Sequence, residues 1–101
     1  MQQAKYSIGQ CVCDRLFDYR GVIVDVDPVF MGSEEWYDQV ARSRPPKDHP
    51  WYHVLVDGSD HRTYVAERHL EADPSGAPIQ HPGLRRFFDR FEDGVYSSPR
   101  H

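Results

Sequence analysis

The sequence predicts a small, mainly β domain: a closed or nearly closed antiparallel barrel of five short strands, with a helical insertion and a short C-terminal helix. Three observations lead there. The chain has 101 residues, 39% hydrophobic and 28% charged, too few for two cores and too apolar for a disordered segment. Short runs of β-branched and aromatic residues recur along it, separated by Gly, Pro and Asp. Strands this short are better protected in a closed barrel than in an open sheet, because closure removes the edges.

Ile8 to Cys13 reads as the first strand, with Ile8 and Val12 on one face and a bend at Gly9. After a turn at Asp14 to Phe17, Asp18 to Asp27 gives the strongest strand. There Val22, Val24 and Val26 predict one continuous β-branched face, and Ile23, Asp25 and Asp27 pass from buried to wet on the other. Pro28 ends it. From Ser33 to about Arg44 the period turns helical, with Trp36, Tyr37 and Val40 on one side. Glu34 and Glu35 in its first turn, and Arg42 and Arg44 in its last, suit the helix dipole. Pro45 and Pro46 stop it.

Trp51 to Asp57 and Arg62 to Ala66 form a hairpin across Gly58-Ser59-Asp60-His61, followed by a helical turn at Glu67 to His69 and a brief strand at Leu70 to Ala72. The division expected is a barrel over 1–73, its helical insertion at 31–50, then a linker, helix and tail over 74–101. In that last part Leu84, Phe87, Phe88 and Phe91 recur at i, i+3, i+4 and i+7, predicting an amphipathic helix over Pro82 to Phe91 with Arg85, Arg86 and Arg90 on its other face. So short a helix needs a surface, either its own barrel or a partner. Gly94 to His101 reads as a frayed tail.

Twelve Lys and Arg against sixteen Asp and Glu give a formal charge of −4, the wrong sign for nucleic-acid binding by overall attraction. Only residues 74–101 carry more basic than acidic side chains, four against three. No stretch approaches the ~20 apolar residues of a bilayer span, and the first residues lack the apolar core of a secretory signal, so a cytoplasmic location without membrane contact is expected. Cys11 and Cys13, two apart on a strand, are too widely spaced for an unstrained mutual disulfide, and no second Cys or His cluster completes a zinc site; a packing role is expected.

Three blocks carry a family resemblance: Tyr6-Ser7-Ile8-Gly9-Gln10-x-Val12; Tyr19 to Phe30; and Pro50-Trp51-Tyr52-His53-Val54-Leu55-Val56, continuing to Thr63-Tyr64-Val65-Ala66-Glu67. Together they resemble the YccV-like family, whose members are called heat shock protein HspQ or hemimethylated DNA-binding protein. The resemblance runs from about Tyr6 to Leu70 in order. It implies a non-enzymatic, cytoplasmic factor with an SH3-like barrel that self-associates as a trimer. One role it implies is helping a Lon-type ATP-dependent protease degrade denatured or selected proteins under heat stress; the alternative is binding hemimethylated DNA.

The residues favour the first role. His53 near Asp25 and Asp27 suggests an acid–base or metal site, but the plainer reading is a solvated strand end beside a hydrogen-bonded histidine. With no nucleophile beside a base, no phosphate-cradling glycine loop and no metal quartet, neither catalysis, cofactor nor resident metal is expected. His49, His61, His69, His81 and His101 are scattered through turns and tails. Arg85, Arg86 and Arg90 are the DNA-contact candidates, yet one triplet replaces few phosphate counterions. Trp36, Tyr37, Phe87, Phe88 and Phe91 are the candidate anchors for partner or unfolded-protein binding, unless core or subunit contact consumes them.

Overall fold

The computed structural model describes residues 3–98; His101 and the end of the expected tail lie outside them. The described elements are β1 (Cys11–Asp14), β2 (Tyr19–Asp27), α1 (Glu34–Val40), β3 (Trp51–Val56), β4 (Arg62–Ala66), β5 (Leu70–Ala72), β6 (Arg90–Glu92) and β7 (Val95–Ser97). Five of them form an antiparallel sheet in the order β4-β3-β2-β1-β5, and β6 and β7 form a separate hairpin. The expected closure is not reached: β4 and β5 remain edges. The sheet nevertheless curls, because Val65 of β4 and Leu70 of β5 share one core with Val12, Ile23, Tyr52 and Val54. The short helical turn Glu67–His69 joins the two edge strands and leaves them unpaired with each other.

The continuous Val22-Val24-Val26 face is broken. Ile23 pairs with Val54 but Asp25 pairs with His53, so Val24 is an extra residue in β2. Such an insertion reverses the side on which later residues fall. Val22 and Val24 join Cys11 and Leu55 in a second core, while Val26 joins Ile23 on the curled side. Asp25 and Asp27 thereby escape the apolar interior. Ile8, expected to share a face with Val12, is instead 53% exposed; the strand begins at Cys11 after Gly9 turns the chain at φ 93°. A side chain at Gly9 would sit 2.0 Å from the Tyr96 carbonyl oxygen, and the Gly9 carbonyl accepts from Tyr96 N at 2.8 Å.

The predicted C-terminal helix is not formed. Leu84–Arg86 is a single 3-10 turn, and Phe91 and Val95, expected in a helix and a frayed tail, lie in β6 and β7. Asp93 and Gly94 both have positive φ, 52° and 78°, as the two central residues of a tight hairpin turn require. Phe88, Tyr96 and Ile79 cover the second core, and the Tyr96 hydroxyl accepts from Ile79 N at 2.8 Å. The proline-rich stretch before them is pinned as well: Gln80 N donates to Asp57 Oδ1 at 2.7 Å and Gly58 N to Gln80 O at 2.8 Å.

Candidate functional site

Helix α1 is shorter than expected, ending at Val40. Ser33 caps its start by accepting from Trp36 N at 3.0 Å. Its end is set by Tyr37, which is buried and donates its hydroxyl to Pro45 O at 2.6 Å, drawing the chain back toward the helix. Arg42 and Arg44 therefore follow the helix instead of occupying its last turn. Tyr37 packs with Trp51 and Ala66 as a third core, flanked by Phe30, Trp36 and Tyr64. These rings interlock, with centroids 4.9 Å apart for Phe30 and Trp51 and 5.2 Å for Trp51 and Tyr64. Trp36 stands at the rim, 5.7 Å from Tyr64 and edge-on to it.

On the opposite side of β4, the β1–β2 turn is fixed by Asp14. The residue is 3% exposed, and its carboxylate accepts from Leu16 N at 2.7 Å and Phe17 N at 3.0 Å. The turn so held presents Leu16 and Phe17 outward, 53% and 72% exposed. Between this turn and α1 lies an open groove of about 960 Å³. Trp36, Val40 and Ala41 form one wall, Leu16, Phe17 and Tyr19 the other, and all of β4 runs between them. Leu16, Phe17 and Val40 are among the few large apolar side chains exposed among the described residues, and all three line this groove. Clustered exposed apolar surface of this kind marks an interaction site.

The groove's cationic groups are Arg42 and Arg62, which form no ion pair among the described residues, and its one acid, Asp14, is buried in its turn. His69 also lines it, within 3.1 Å of Ser43 Oγ, and burial holds its pKa below the usual histidine value. The rim is thus basic on a chain whose net charge is −4.

Asp25, Asp27 and His53 come together, their potential ligand atoms all within 4.8 Å of one another. Asp27 Oδ2 accepts from the Tyr64 hydroxyl at 2.7 Å and lies 3.2 Å from His53 Nε2; Tyr64 in turn accepts from Met31 N at 2.9 Å. Burial, then the bond to Asp27, raises the Tyr64 pKa. This network ties the end of β2 to β3 and β4. Cys11 and Cys13 are free thiols, and burial pushes Cys11 up to about 11, leaving it a packed, weakly nucleophilic group.

Of the candidate anchors, the structure places Trp36 in the groove, Tyr37 and Phe88 in the interior, and Phe87 and Phe91 half-buried against the second core. Arg85 and Arg90 share a smaller hollow of about 470 Å³ with Asp89, and Arg90 pairs with Glu92 at 3.5 Å; Arg86 is exposed nearby in sequence but outside that hollow. Val40 was legible only as part of the helix's apolar side, and Leu16, Phe17 and the edge of β4 are groove residues that no local sequence pattern singles out.

Among the described residues no helix is long and apolar enough to cross a membrane. Comparison with known protein families matches residues 4–95 to YccV-like, described as "Hemimethylated DNA-binding protein YccV like". That span covers the curled sheet, the insertion and most of the C-terminal hairpin, and the chain belongs to the YccV-like family.

Proposed function

We propose that this protein is an HspQ-type quality-control factor: an SH3-like, self-associating, cytoplasmic scaffold that engages unfolded polypeptide and tunes its degradation by a Lon-type ATP-dependent protease, without turnover of its own. The observation that carries this reading is the groove around β4, where exposed Leu16, Phe17 and Val40 meet a basic rim. Apolar walls beside a sheet edge suit a flexible chain better than a duplex, whose binding draws its strength from many phosphate contacts. The test is degradation of a permanently unfolded substrate by the cognate protease with and without this protein. A concentration-dependent change in rate or substrate choice is expected, and no change across concentrations would refute it.

The second reading, binding of hemimethylated DNA, has the family description and the exposed Arg85, Arg86 and Arg90 in its favour. It predicts preference for hemimethylated over fully methylated duplex, with affinity falling as salt rises. Equal and undetectable binding to both at low salt removes it.

A further inference from the structure

Edge strands are normally blunted by Lys, Pro, bulges or a covering element. Strand β4 has no Lys, Pro or bulge between Arg62 and Ala66, and it is covered only at its far end, where Ala66 packs with Tyr37, Trp51 and Ala41; its interior is Thr63-Tyr64-Val65, three residues of high strand preference. Its free edge can be assigned. Val56 N donates to His61 O and Glu67 N to Pro50 O, each 3.1 Å, so the pairs Val56/His61 and Pro50/Glu67 are hydrogen-bonded. Hydrogen-bonded and open pairs alternate in an antiparallel ladder, which makes Val54/Thr63 and Tyr52/Val65 bonded pairs. The N–H and C=O groups of Arg62, Tyr64 and Ala66 therefore point away from β3; Ala66 is 3% exposed and its carbonyl opens the 3-10 turn Glu67–His69, so the open part of the edge is Arg62 and Tyr64, whose outward groups have no other partner among the described residues.

The groove lies along this edge. Trp36 and Trp51 belong to one side of the sheet and Tyr19 and Val65 to the other, yet all four line it, which is possible only around the rim of the last strand. We infer that β4 takes an added strand: an extended segment of unfolded polypeptide hydrogen-bonds to Arg62 and Tyr64, with successive apolar side chains falling alternately on the two walls and carboxylates at its ends. The inference rests on the polypeptide-binding reading above. Charge complementarity selects the ends. Arg62 starts β4, and Arg42 is held near its far end by the contacts of adjacent Ser43 with His69 and Arg68. A second copy fits less well, because its own β4 is recessed between walls that would meet those of the first.

The probe is a fluorescein-labelled six-residue peptide, four valines between terminal aspartates, which spans about the length of β4 and offers valine to both walls; it is titrated into the full chain and followed by anisotropy and amide exchange. Saturable binding is expected, with slowed exchange of the Tyr64 amide. N-methylation of one alternate set of peptide nitrogens should weaken binding about tenfold while the other set has little effect, because only one set faces β4. Lysine-ended peptide should bind more weakly. Leu16→Asp and Phe17→Asp alter a wall at side chains that are 53% and 72% exposed; each should cost about tenfold in affinity.

Equal affinity for both N-methylated peptides, or no binding by the folded protein, overturns strand addition. So does a change of solution mass in Phe17→Asp with peptide binding intact, which would assign the groove to another copy. Protease assays separate the two readings. Full stimulation by both variants sinks strand addition and leaves the quality-control role standing, whereas peptide binding as described with no effect of the wild-type protein on degradation does the reverse.

Discussion

Arg20 joins three stretches of chain through one guanidinium. It donates to Asp73 Oδ2 from Nε at 2.9 Å and from Nη2 at 2.7 Å, to Asp57 Oδ2 at 2.9 Å, and to Ala77 O at 2.7 Å. The Asp73 side chain is only 2% exposed. Burial alone would raise its pKa, but bonds from Arg20 and from Ser75 outweigh it and hold the carboxyl below its usual range. A carboxylate depressed on folding contributes stability above its unfolded pKa of about 3.9 and loses it as pH falls through the lower folded value. Arg20→Ala should therefore destabilise the protein by about 1.5–3 kcal/mol at neutral pH, with the gap from wild type narrowing below about pH 4. Denaturant titrations at several pH values check both the size and the direction.

At the scale of elements, the hairpin of β6 and β7 acts as a lid on the second core. Phe88 is 6% exposed there, whereas Phe87 is half-buried at its margin with Arg62 above its ring at 5.8 Å. Phe88→Ala should cost about 3–5 kcal/mol of stability and Phe87→Ala clearly less, read from thermal or denaturant unfolding. The hairpin had a legible signal, Asp93-Gly94 between Arg-Phe-Glu and Val-Tyr-Ser, which is turn chemistry flanked by alternation. The stripe of Leu84, Phe87, Phe88 and Phe91 obscured it. A 3-10 turn followed by a strand places those four residues against one core without any helix, so apolar spacing over ten residues did not discriminate. The central hairpin of β3 and β4 was legible because two runs of aromatic and β-branched residues flank a glycine turn there.

For the whole molecule, the strands of the sheet and the insertion helix could be read from local pattern, but the groove could not. Trp36 was visible as a candidate anchor. Leu16, Phe17 and Val40 become a site only once β4 is known to be an edge, and strand order is a property of the whole chain. A trimer would display three such grooves and gain avidity from contacts that are individually weak. Sedimentation equilibrium should then give a mass three times that of the chain, and a monomer at working concentrations would exclude this arrangement. Length within β2 is constrained by parity. Losing Val24 would leave Ile23 opposite Val54 and Asp25 opposite His53, so every remaining side chain keeps its orientation. Losing Val26 would turn Asp27 toward Tyr52 and set a carboxylate among apolar rings. Val24 is thus the residue of this strand whose deletion the ladder absorbs, and shortening on the Pro28 side of it turns the strand inside out.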